Sequence, residues 1–165
     1  MEHVVHPIAP VFDSASRVLI LGTMPSPASR AQAFYYMHPQ NRFWPVMAAV
    51  FAEELPQGAE ARARFALAHR FALWDVLASC DIRGASDSSI RNPLPNDIAG
   101  LLGKTGIRTV FTTGKTSFSL YRKYCLPETR IPAQLLPSSS PANCRLSTAD
   151  LIAAYRAVRT AVEQP

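Results

Sequence analysis

Short apolar runs alternate along this chain with stretches whose apolar residues recur every three to four positions. The first kind predicts strands over Val18 to Leu21, Phe71 to Leu77, Arg108 to Thr113 and Ala133 to Leu136. The first and third are nearly continuous apolar or β-branched runs, as expected of strands covered on both faces. The second kind predicts helices over Arg42 to Glu53, Ala59 to His69, Asn96 to Leu102 and Lys115 to Tyr124, with Asn96 as an N-cap. A last helix follows Ser147 and Asp150, which have the spacing of a capping box. Its Leu151, Tyr155, Val158 and Val162 fall on one face and are read as core. This alternation predicts an α/β fold with a parallel sheet covered by helices, whose strands end on one shared rim.

Composition narrows the picture. With 165 residues, 48% of them hydrophobic, the chain is expected to form one domain spanning 1–165. No segment approaches a membrane span, and the start, MEHVVHPIAPVFD, lacks the basic and apolar parts of a signal peptide, so a cytoplasmic protein is expected. Cys80, Cys125 and Cys144 lie far apart, without the spacing of a metal site, and are read as free thiols. Prolines such as Pro25, Pro27, Pro39, Pro93, Pro95, Pro137 and Pro141 are expected to stiffen loops. The net charge of +5 is unevenly spread. Lys104, Arg108, Lys115, Arg122, Lys123, Arg130 and Arg145 face a single acid, Glu128, between Leu101 and Arg145, a weak signal for a polyanionic partner.

Candidate chemistry gathers after the first strand. VLILGTMPSPASRAQAFYYMHPQNRFW, from Val18 to Trp44, breaks from a buried strand into a Gly-Pro loop and then collects aromatics and amides where α/β folds bind ligands. Asn41 is either an N-cap for the helix at Arg42 or a polar group of the site. Phe43 is either helix core or a stacking surface. Asp75, at the end of the second strand, is either a structural acid or a reader of ligand. Thr113, Gly114 and Lys115 close a strand and open a helix, which suits an anion. PSSSPAN, from Pro137 to Asn143, is a Ser-Pro turn or a phosphate-binding loop.

Taken together, LILGTMPS, YYMHPQNRFW, LWDVLASCDIRGASD and LLPSSSPAN resemble the uracil-DNA glycosylase superfamily, most closely its hypoxanthine-DNA (deoxyinosine) glycosylase family. The resemblance implies a three-layer α/β/α sandwich with a central four-stranded, mainly parallel sheet. It also implies a monofunctional base-excision repair enzyme that hydrolyses the N-glycosidic bond of hypoxanthine or uracil in DNA, needs no cofactor or metal, touches no membrane and acts as a monomer. Under it, Gly22, Thr23, Met24 and Pro25 form the turn beneath an extruded base, with Thr23 and Met24 where many relatives place Asp or Asn. Asn41 then becomes the catalytic residue that aims water, and Phe43 stacks on the base. Tyr36 walls the pocket, His38 hydrogen-bonds the base or a phosphate, and Asp75 accepts the ring N–H shared by hypoxanthine and uracil. Ser138, Ser139, Ser140, Pro141, Ala142 and Asn143 pinch the DNA, with Ser138 where several relatives carry histidine, beside the phosphate contact already read from Lys115.

Two other readings remain. Met24 in place of a water-binding residue suits a lesion-DNA-binding module without catalysis. A serine hydrolase using Ser138, Ser139 or Ser140 with His38 lacks a GxSxG elbow.

Overall fold

The computed structural model describes residues 1–165. In chain order it contains β1 (Glu2–Val5), β2 (Val18–Gly22), α1 (Pro27–Gln32), α2 (Phe43–Val50), α3 (Gly58–Ala68), β3 (Phe71–Asp75), β4 (Leu77–Arg83) and β5 (Ser86–Pro95). There follow α4 (Ile98–Gly103), β6 (Thr109–Thr113), α5 (Lys115–Tyr124), α6 (Leu126–Thr129), β7 (Ala133–Leu136) and α7 (Thr148–Glu163).

A four-stranded sheet in the order β3-β2-β6-β7 is parallel throughout, and its strands begin within a residue of the four read from the sequence. β2 shows why its apolar run is unbroken. Val18 and Ile20 enter one core with α2, α3 and α7, while Leu19 and Leu21 enter a second with Val110, Tyr121 and Ile98. A strand buried on both faces has no polar side to alternate. In α7 the capping box of Ser147 and Asp150 is closed by reciprocal hydrogen bonds, and Leu151, Tyr155, Val158 and Val162 are buried.

A second sheet, antiparallel in the order β1-β4-β5, sends Val4, Cys80 and Ile82 into the core that Leu19 and Leu21 enter, so that layer is only partly helical. The run from Phe71 to Leu77 is therefore not one strand. It breaks at Val76, whose N–H donates to Gly22 O while that of Leu77 donates to Thr23 O. Asn96 is not the cap of α4. Asp97 takes that role, accepting from the Gly100 N–H at 2.9 Å. Asn96 instead donates to Asp75 O and Leu77 O at 2.9 and 3.0 Å, pinning the break between β3 and β4. Pro93 and Pro95 lie in β5 rather than in loops, tolerated because β5 is an edge strand. No helix is long and apolar enough to cross a membrane.

Candidate active site

The strands of the parallel sheet end beneath a cavity of about 970 Å³. Of the residues expected in a site, all but Phe43 line it: Gly22, Thr23, Met24, Pro25, Tyr36, His38, Asn41, Asp75, Lys115 and Ser138 through Asn143.

Its floor is built where β2, β3 and β6 end. Gly22 is required there by contact, because a Cβ on it would fall 2.5 Å from Asp75 Oδ1 and 3.4 Å from the Tyr36 hydroxyl. Asp75 is buried, and its Oδ2 accepts from His6 Nε2 at 2.7 Å. Its Oδ1 has no hydrogen-bond partner within the protein and borders the cavity. The Tyr36 hydroxyl lies 3.4 Å from Thr113 Oγ1, and burial, then the Asp75 charge, hold its pKa well above the ordinary tyrosine value.

One wall is aromatic. Tyr36 adopts a left-handed backbone with φ of 56°, a conformation disfavoured for a bulky side chain. Its ring lies on Phe43, centroids 3.9 Å apart and planes 15° apart. Phe43 is fully buried against Trp44 and Tyr155 as well, so the expectation that it touches a base is corrected. Tyr36 covers it and is the aromatic of the pair that lines the cavity.

Asn41 stands just before α2, whose N-cap is Arg42 rather than Asn41. Its Oδ1 accepts from the Phe43 N–H and from the Ser139 hydroxyl, each at 2.9 Å. A backbone N–H can only donate, so the accepting atom is the oxygen and the amide orientation is fixed. The Nδ2 group has no protein acceptor. Asn41 thus lies one residue before the N-cap, holding the Phe43 N–H with its oxygen while its Nδ2 lines the cavity.

The loop after β7 forms the opposite wall and is anchored rather than slack. Arg42 donates from its guanidinium to Asn143 O and Leu146 O, both at 2.8 Å, and from its backbone to Ser139 O. The Tyr155 hydroxyl donates to Pro137 O at 2.6 Å, and Asn143 Nδ2 donates to Ser138 O at 2.8 Å. No hydrogen bond joins these serines to His38, whose Nδ1 accepts the Gln40 N–H. That removes the geometric basis for a serine hydrolase. Lys115 is exposed at the mouth.

Two contributors escaped the sequence reading. His6 reaches Asp75 from beyond β1, its parity with buried Val4 being the signal that marked it as inward-facing. Asp87, on the β4–β5 hairpin, accepts from the Thr23 hydroxyl at 3.3 Å. Although Asp87 lies on an exposed tip, its carboxyl turns inward. Lost hydration pushes its pKa up, the Thr23 hydrogen bond partly offsets this, and the Asp75 charge adds to it.

Residues 9–159 match the uracil DNA glycosylase superfamily. The chain is 32% identical over 139 residues to a protein named hypoxanthine DNA glycosylase from Methanosarcina acetivorans, covering 83% of this chain and 87% of that one. A protein of the same name from Methanosarcina barkeri is 29% identical over 110 residues, 66% of this chain and 70% of the relative. The fold is similar, with a TM-score of 0.76 and 29% identity, to the solution NMR structure of a candidate uracil DNA glycosylase from Methanosarcina acetivorans, covering 92% and 96% of the two chains. With the parallel sheet, the rim cavity and this match over most of its length, the chain belongs to the uracil DNA glycosylase superfamily.

Proposed function

We propose that this chain is a DNA glycosylase that extrudes hypoxanthine or uracil from DNA and hydrolyses its N-glycosidic bond, working as a cytoplasmic monomer. The observation that carries this reading is the pairing of Asp75 Oδ1, an acceptor without a protein partner, with Asn41 Nδ2, a donor without one, in a single cavity beside the Tyr36 ring. Hypoxanthine and uracil share a ring N–H next to a carbonyl. Adenine and cytosine present a lone pair where that N–H would be. Asp75 accepts the N–H, and the base lies against Tyr36, a stacking contact of about 1–3 kcal/mol. Lys115 and the anchored loop from Ser138 to Asn143 hold the flanking phosphates.

Because Asn41 Oδ1 already accepts two hydrogen bonds, the amide acts through its N–H groups. They hold a water oxygen close to the sugar. The bond from C1′ to the base nitrogen breaks with its electron pair left on the base, giving an oxocarbenium-like sugar. Water adds to C1′, and the proton it releases balances the base anion. In this arrangement catalysis rests on placement and aimed dipoles rather than on a strong acid.

Single-turnover incubation of duplexes carrying hypoxanthine, uracil or xanthine, followed by alkali, tests the reading. Strand breaks at hypoxanthine or uracil are expected. Tight lesion binding with no base released from any of them would instead favour a binding module.

A further inference from the structure

We propose that His6 is a positioning residue that holds Asp75 in the orientation which separates bases carrying a ring N–H from bases carrying a lone pair at that edge. The inference rests on the reading of the cavity as a base pocket.

The His6 and Asp75 side chains are 3% and 5% exposed, with Nε2 and Oδ2 2.7 Å apart. The Ile8 N–H points at His6 Nδ1 at 3.3 Å. A backbone donor there requires a lone pair on Nδ1, so the ring proton is on Nε2 and is donated to Asp75. The ring has little freedom to turn. The His6 backbone N–H donates to Ala78 O at 2.7 Å, extending the pairing of β1 with β4. The imidazole also lies against Tyr35, centroids 6.1 Å apart, and the Tyr35 hydroxyl donates to Ala9 O at 2.9 Å.

The consequence falls on the other oxygen. With Oδ2 held by a donor, Oδ1 is left over Gly22 at the cavity floor, and it accepts but cannot donate. A hypoxanthine N1–H satisfies it. A purine whose N1 is bare sets two lone pairs against each other, so the site rejects as well as selects. A carboxyl released from His6 is free to rotate, so Oδ1 is no longer held against the bare N1.

The test compares affinity for two duplexes differing in one base: hypoxanthine, and unsubstituted purine, which lacks both the N1–H and the oxo group. A ratio of affinities cancels any difference in the folded fraction. The wild type is expected to favour hypoxanthine. His6→Phe should shrink that ratio about tenfold or more, and His6→Gln, which keeps an N–H donor at similar reach, should restore most of it. In an Asp75→Asn background His6→Phe should change the ratio no further, since it acts through Asp75. An unchanged ratio in His6→Phe, or an equal loss of affinity for both duplexes, would overturn the proposal. If wild type releases no base yet the ratio shifts as expected, the glycosylase reading fails and the role of His6 stands.

Discussion

The Ser139 hydroxyl donates to Asn41 Oδ1 at 2.9 Å, tying the loop after β7 to the first turn of α2. The Phe43 N–H fills the remaining lone pair of that oxygen. The oxygen of this amide is thus committed within the protein, and its Nδ2 is left to the cavity. Asn41→Asp keeps an oxygen for both donors and removes the N–H groups. Its melting temperature should match the wild type, while the single-turnover rate on hypoxanthine drops by about 100-fold, the usual effect of losing a fixed donor. Asn41→Ala should lose the rate and also about 1 kcal/mol of stability, since the Phe43 N–H and the Ser139 hydroxyl lose their acceptor. Wild-type rates in a folded Asn41→Asp would show that the N–H groups are not used.

Phe43 is buried beneath the Tyr36 ring, and it is Tyr36 that lines the cavity. Removing the Tyr36 ring with Tyr36→Ala should weaken binding to lesion duplex by about 1–3 kcal/mol, and Tyr36→Phe should keep most of it. Phe43→Ala should instead cost about 3–5 kcal/mol of folding stability, because the ring is fully buried. Denaturant melts and fluorescence titrations separate these effects. Loss of lesion affinity in a stably folded Phe43→Ala would reverse the assignment.

Gly22→Ala probes the floor. The added methyl would meet Asp75 Oδ1 at 2.5 Å, closer than real contacts allow, so the carboxylate has to move away from the β2 end. The expected result is a discrimination between hypoxanthine and unsubstituted purine that shrinks as it does in His6→Phe, read from the same pair of duplexes. Undiminished discrimination would mean that Asp75 Oδ1 does not read the base.

The central sheet was legible because β2 and β6 are buried on both faces and carry apolar runs that solvent-facing strands do not. The smaller sheet was not. β5 reads SDSSIRNPLP, mostly polar and partly exposed, and its pairing with β4 is interrupted by register shifts, so no period of two survives. Within the site, the segments surrounding the cavity were recognisable, but the assignment between neighbours was not. Phe43, Val46, Met47 and Val50 recur at helical spacing and are all buried, a core stripe that outweighs the motif in which Phe43 lies. Tyr36 faces the cavity through a left-handed backbone that no local pattern announces. Asp87 arrives on a hairpin whose partner contact, Thr23, is 64 residues away.

Asp87 gives the site a dependence on pH whose sign follows from its surroundings. Burial is the main cause of its raised pKa, with the Asp75 charge a smaller one. A carboxyl raised in the folded state favours folding most when protonated in both states, below its ordinary value of 3.8. That contribution is lost as pH rises through the folded value, leaving an unfavourable charge at neutrality. Asp87→Asn keeps an oxygen for the Thr23 hydroxyl and removes the charge. It should melt higher than wild type at pH 7, and the difference should close at about pH 3, where both side chains are neutral. Removing a negative charge at the cavity mouth should also tighten DNA binding at low salt. Thermal melts at the two pH values decide the point: a variant less stable than wild type at pH 7 would mean that the charge is held favourably and that the hairpin depends on it.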